Sequence, residues 1–272
     1  REEDWLPARK MSFLPAADEA PVFKGATLVV ADVSRGNVGQ LAADLLITTM
    51  QMTRVGYFDD PDVLPAVGME NGKLSVNTEL FAAQDSSLFV LQQRSPAVAS
   101  HEGAYGQRMA AWIRKSAFAK VLLLSSLPAE MRKDQQLSGG PQMTAGVCGS
   151  AGEAQTRAQT LGWRCVSFAA DVPMTEEVEW MHQAIVRTEA TPLSSSLLQH
   201  LGGEASGGGG NVICMFAWCA EGDNLPDGIQ MASWVNDYLA VLTPNEQGQV
   251  GWKVPESWRI VMAQNAPRPV YT

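Results

Sequence analysis

Two short segments carry the residue types and spacing that chemistry on an α/β scaffold uses. The first is Gly36-Asn37-Val38-Gly39, between the apolar run ATLVVADV (Ala26 to Val33) and a helical stripe. A glycine-rich turn of this kind exposes backbone N–H groups at a helix N-terminus and can hold an anion. The same residues also serve a purely architectural end, with Gly36 supplying a left-handed turn and Gly39 letting the helix approach the sheet. Arg35 is the only charged residue close enough to orient a phosphate, which favours the architectural reading. The second segment is Glu221-Gly222-Asp223-Asn224, a carboxylate pair that follows the run NVICMFAWCA and precedes a helix. Open α/β sheets put their sites at the carboxyl ends of such strands. Its alternative is an ordinary strand-to-helix turn, in which Asp223 or Asn224 caps the helix, Gly222 takes a positive φ and Pro226 occupies the first helical position.

The rest of the chemical inventory is sparse. The chain has no phosphate-binding G-x-x-x-x-G-K-[ST], no G-x-S-x-G elbow, no H-E-x-x-H and no complete dinucleotide fingerprint. His101, His182 and His200 stand in separate polar contexts, so they read as surface or helix-end residues. Cys148, Cys165, Cys214 and Cys219 lack metal-ligand spacing and read as reduced thiols. Cys214 and Cys219, five apart in one strand, are expected on opposite faces of a sheet. Neither a cofactor nor a metal is expected.

The elements that must position these turns can be read from periodicity. Uniformly apolar, β-branched runs at 26–33, 121–124 and 211–220 predict strands buried on both faces. Further strands are expected at 55–58, 73–82, 87–92 and 163–168, and helices from about 38 to 50, 105 to 117, 176 to 187, 194 to 201 and 226 to 242. Strands alternating with helices predict an α/β fold with a mostly parallel central sheet and helices on both faces. Residues 1–24 lack periodicity and predict a poorly ordered start; 25–262 then form a single α/β domain and 263–272 an extended tail. The polar stretch 128–160 predicts a long surface excursion, and GGEASGGGG at 202–210 a flexible loop.

Composition narrows the partners. Twenty Lys and Arg against 29 Asp and Glu give a net charge of -9, which repels phosphate backbones and anionic lipid. No apolar run approaches the roughly 20 residues that span a bilayer. Neither nucleic acid nor a membrane is an expected partner, and the chain reads as soluble and intracellular. Eight Trp and twelve Met exceed what the core requires and predict a protein interface of about 1,600 Å² or more.

With the elements placed, three segments resemble the proteasome assembly chaperone 2 family: SRGNVGQLAADLLITTMQMTRVGYF at 34–58, AEGDNLPDG at 220–228 and WKVPESW at 252–258. The likeness runs from about Met11 to the end, with the stretch between Pro128 and Gly210 only vaguely similar. The resemblance implies a nucleoside-phosphorylase-like α/β sandwich without catalytic role, found in cytoplasm and nucleus. It also implies pairing with proteasome assembly chaperone 1 and docking on the α-subunits of the proteasome core particle. The terminal Val270, Tyr271 and Thr272 are similar to the hydrophobic-tyrosine-any tail that proteasome activators and some assembly chaperones insert between α-subunits. Pro267 and Pro269 stiffen that tail and lower the entropy lost on insertion. A small-molecule enzyme of nucleoside-phosphorylase or hydrolase type, using the Gly36 turn and Asp223, is the competing reading.

Overall fold

A computed structural model describes residues 10–70, 72–132, 143–148, 152–167, 175–187, 192–201 and 211–258. Its centre is a nine-stranded sheet in the order β1-β3-β6-β7-β2-β8-β11-β9-β10, and β4 and β5 form a separate two-stranded hairpin. The strands are β1 (Ser12–Pro15), β2 (Thr27–Ala31), β3 (Thr53–Asp59), β4 (Val67–Glu70), β5 (Lys73–Val76), β6 (Thr78–Ala82), β7 (Leu88–Gln93), β8 (Lys120–Pro128), β9 (Met143–Cys148), β10 (Arg164–Ser167) and β11 (Asn211–Cys219). The helices are α1 (Val38–Thr49), α2 (Glu102–Ser116), α3 (Gly152–Thr160), α4 (Glu176–Arg187), α5 (Pro192–Leu201) and α6 (Leu225–Leu239).

The middle of the sheet, β7-β2-β8-β11, is parallel throughout, in keeping with the uniformly apolar runs that compose it. Because side chains alternate along a strand, each of these strands feeds two cores. Leu28, Val30, Leu123, Cys214 and Phe216 face a core covered by α2, α4 and α5. Val29, Ala31, Leu122, Leu124, Met215 and Cys219 face a second, covered by α1, α3 and α6. Cys214 and Cys219 therefore lie on opposite faces, as their spacing requires. The result is a three-layer α/β/α sandwich.

The flanks depart from the sequence reading. On one side β6, β3 and β1 continue the sheet antiparallel; on the other, β9 runs antiparallel to β11 and β10 parallel to β9. Order begins earlier than residue 25, because Ser12–Pro15 pairs with Gly56–Asp59 as an edge strand. Its anchor is aromatic: the Phe13 ring lies 5.2 Å from that of Phe58 and 5.6 Å from that of Phe23, and the Phe58 ring lies 4.7 Å from that of Trp112. The Phe13–Phe23 and Phe58–Trp112 contacts are edge-to-face, and such contacts add about 0.5–1.5 kcal/mol each beyond area burial. Among the described residues of the stretch 128–160, where a surface excursion is expected, are β9 and α3. The single strand expected over 73–82 is two, and the chain changes sheets at Asn77. The 202–210 loop and the tail lie outside the described residues.

Candidate functional site

Sheet order brings the two candidate turns into contact. β2 and β11 flank β8, so the segments leaving their carboxyl ends meet above Ser125, Ser126 and Leu127. Gly36 has φ 65° and Asn37 φ 56°, two consecutive left-handed residues that turn the chain from β2 into α1. A Cβ on Gly36 would lie 2.5 Å from Nδ2 of Asn224, so the second turn fills the space over the first. One residue into α1, a Cβ on Gly39 would lie 2.5 Å from the Leu124 carbonyl oxygen of β8. Only a glycine permits that approach.

Below the turns several polar groups bond to one another. The Ser34 and Ser126 hydroxyls lie 2.8 Å apart. The Ser126 hydroxyl and the Cys219 thiol both donate to the Arg35 carbonyl, the thiol at 3.1 Å. Burial pushes the Cys219 thiol up, which keeps it protonated and unreactive. The Arg35 guanidinium is held between Glu130 at 2.6 Å and Glu221 at 3.1 Å, so the cation nearest the turn serves two exposed carboxylates. Asp223 Oδ1 accepts from the Leu225 N–H at 3.1 Å and caps the first turn of α6; the Asn224 amide donates to the Gly222 carbonyl at 3.1 Å. Gly222 has φ 137° and Pro226 sits in the first turn of α6.

Asp32, unremarked in the sequence reading, is the chemically unusual group at this edge. It is fully buried, and desolvation pushes its carboxyl up to about 7, against the pull of a hydrogen bond from the Ser194 N–H at 3.0 Å. A carboxylate inside an otherwise apolar strand end was the signal available for it. Among the described residues, no three His, Cys, Asp or Glu side chains converge closely enough to hold a metal ion. No helix of the described residues is long and apolar enough to cross a membrane.

A second surface is built in the opposite way. The β4–β5 hairpin pairs Val67 with Val76, Gly68 with Ser75 and Met69 with Leu74. Directly opposed residues share a face. One face therefore carries Ser75, buried and donating to Glu79 Oε2 at 2.6 Å, and looks inward. The other carries Val67, Met69 and Leu74, which are 75%, 69% and 59% exposed. Between hairpin and body lies a cleft of about 650 Å³ lined by Asp44, Tyr57, Lys73, Glu79, Phe81 and Arg94, among others. The buried Glu79 carboxylate is met there by Arg54 at 2.6 Å, whose guanidinium also stacks 4.8 Å from the centre of the Tyr57 ring. The hairpin's root is fixed by Arg108, which reaches Asp60 at 2.6 Å and Asp62 at 2.7 Å, both buried. Leu64 is tied at both ends, its N–H to the Pro96 carbonyl and its carbonyl to the Ser95 hydroxyl. The Asn71-Gly72 pair between alternating Val67, Met69, Leu74 and Val76 is the sequence signal for this element.

Of the residues singled out from sequence, the structure gathers Gly36, Asn37, Gly39, Gly222, Asp223, Asn224 and Pro226 at one edge. Val270, Tyr271 and Thr272 lie outside the described residues.

Comparison with known proteins places this architecture. Residues 28–201 match the model of the PAC2 family. The chain is 33% identical to proteasome assembly chaperone 2 of Danio rerio over 94% of its own length and 98% of that protein's. It is 27% identical to the protein of that name from Homo sapiens over 95% and 100%. Among solved structures it resembles Pyrococcus furiosus PbaA, an archaeal homolog of proteasome-assembly chaperone, with a TM-score of 0.62 and 14% identity over 87% of this chain and 89% of that one. It also resembles PbaB of the same organism, an archaeal proteasome activator, with a TM-score of 0.60 and 12% identity over 86% and 91%. At such low identity the structural likenesses speak for the fold alone. The family model and the Danio rerio relative, each matched over most of the chain, show that this chain belongs to the PAC2 family.

Proposed function

We propose that this chain is an assembly chaperone of the proteasome core particle, acting without catalysis in the cytoplasm and nucleus. In this reading it pairs with proteasome assembly chaperone 1 and holds α-subunits of the forming ring through its surface and through Val270, Tyr271 and Thr272. The observation that carries the reading is the full-length match to relatives named proteasome assembly chaperone 2. The finish of the two surfaces supports it. At the carboxyl edge, where an enzyme of this architecture keeps a crevice, Asn224 covers Gly36 and Arg35 is engaged by two carboxylates. An outward apolar hairpin face, by contrast, is what a protein that works by contacts requires.

The tail supplies the direct test. A tyrosine brings a rigid ring with few torsions to freeze, a valine fills an apolar slot, and the terminal carboxylate calls for a lysine in the receiving pocket. Tyr271→Ala, or one residue added after Thr272, is expected to weaken α-ring binding by about 2 kcal/mol while leaving pairing with the partner chaperone unchanged. Binding measured on recombinant α-rings with the partner chaperone present decides the matter, and equal affinity for the intact and extended chains sinks the anchor. Addition of nucleosides or phosphate is expected to leave the melting temperature where it was; a ligand at 100 times its Kd would stabilise the fold by about 2.7 kcal/mol.

A further inference from the structure

Four of the large apolar side chains exposed among the described residues, Leu64, Val67, Met69 and Leu74, fall within eleven consecutive positions. They sit on a hairpin with an open edge. Arg54 Nη1 donates to the Leu74 carbonyl at 2.5 Å, which means that this carbonyl points away from β4. The Met69–Leu74 pair is therefore of the non-hydrogen-bonded kind, and by alternation so is Val67–Val76. It follows that the N–H and C=O groups of Val67 and Met69 point outward along the free edge of β4. They have no hydrogen-bond partner among the described residues. The edge is also held in place before any partner arrives, by the Arg108 clamp on Asp60 and Asp62 and by the two bonds to Leu64.

We propose that the free edge and outward face of this hairpin receive an apolar strand from a different protein chain, which adds to β4 through main-chain hydrogen bonds. The inference rests on the chaperone reading above and names the surface and the mode of pairing. Charge selects the occupant. Between Leu64 and Val76 the only charged residues are Glu70 and Lys73, so the patch is neutral on a chain of net charge -9. Two copies would bring like fields together, which opposes self-association. A strand without net negative charge meets no such opposition. Its backbone would satisfy the groups at Val67 and Met69, and its side chains would cover Val67, Met69 and Leu74.

The experiment uses the full chain and proteasome assembly chaperone 1 as the probe, with two variants. Met69→Lys/Leu74→Lys puts charge on the outward face. Val67→Pro removes one outward N–H, which the hairpin's own ladder does not use. Both change exposed positions, so melting temperatures should match wild type. The wild-type chain alone is expected to sediment as a monomer at micromolar concentration. Pairing is expected to weaken by about 100-fold with the double Lys variant and by at least about tenfold with the Pro variant. Undiminished pairing by both variants overturns the proposal while leaving the chaperone reading intact. Loss with Lys but not with Pro reduces the contact to face packing and overturns strand addition. A wild-type dimer that the double Lys variant dissolves assigns the hairpin to a second copy and overturns it too. If wild type binds neither the probe nor α-subunits, the chaperone reading falls, and this inference with it.

Discussion

The carboxyl edge of the central strands and the β4–β5 hairpin are both places where loops leave the sheets, and they are finished in opposite ways. At the carboxyl edge the space over the strands is filled from within: Asn224 lies over Gly36, Ser126 and Cys219 both serve the Arg35 carbonyl, and Asp32 is sealed beneath Ser194. At the hairpin the polar face looks inward and the apolar face looks out. An α/β sandwich of this topology has one place where small molecules are ordinarily bound, and here the chain's own side chains occupy it. The outward apolar surface is an added hairpin, held by ion pairs at its root. Each half of this contrast can be broken separately.

The largest effect is expected at the hairpin's root. Arg108 neutralises two buried carboxylates at once, and removing one partner of such a cluster strands charge away from water. Arg108→Ala should therefore cost about 3–5 kcal/mol. Urea unfolding followed by tryptophan fluorescence measures it. Hydrogen exchange at residues 60–76 should rise in the same variant, because the hairpin loses its brace. A loss below 1 kcal/mol would show that Asp60 and Asp62 find water, and the hairpin would then not be pre-organised.

The second effect belongs to the carboxyl edge and depends on pH. The Asp32 carboxyl is raised to about 7 by burial, so the folded chain holds this proton more tightly than the unfolded chain does. Stability from this group is then present at low pH and is lost as pH rises from about 4 to about 7. The amplitude is on the order of 4 kcal/mol. Asp32→Asn keeps an oxygen to accept from Ser194 and carries no proton to lose. Its stability should exceed that of wild type at pH 8, with the difference shrinking as the pH is lowered to 5. Parallel curves for the two chains would place Asp32 in contact with water, and the edge would not be sealed.

These two cases also mark what the sequence makes legible. The parallel centre is plain because LVVA, VLLL and VICMFAWC are apolar at every step, and only strands covered on both sides need that. β9 (MTAGVC) is hidden in a Gly-, Gln- and Ser-rich stretch, and its antiparallel direction leaves no trace in periodicity. β4 is missed because Lys73 to Ala82 reads as one strand, with no Gly or Pro marking the change of sheets at Asn77. The turns at 36–39 and 222–226 are legible as turns. Their contact is not, since it depends on β2 and β11 flanking β8, a fact of sheet order carried by no local pattern. Asp32 escapes because a single acid at the end of an apolar run weighs little until burial is known.

The smallest effect tests the edge by a single methyl group. Gly39→Ala would put a Cβ 2.5 Å from the Leu124 carbonyl oxygen, closer than real contacts allow, and 3.0 Å from its carbon, which is tight. That carbonyl cannot retreat. It already accepts from the Asp32 N–H at 3.0 Å, and Leu124 is paired on one side with Ala31 and on the other with Met215. Helix α1 must move instead, and α6, which packs on it, must follow. Overpacking of this kind costs about 1–3 kcal/mol, while replacing glycine by alanine inside a helix returns roughly 0.5–1 kcal/mol. The net expectation is a loss of about 1–2 kcal/mol, read from the urea midpoint. Gly103→Ala in α2 is the control, because a Cβ there meets nothing within 4 Å; it should be neutral or slightly stabilising. If the two substitutions shift the midpoint alike, α1 is not pressed against the sheet, and the turn before it has room that Asn224 does not fill.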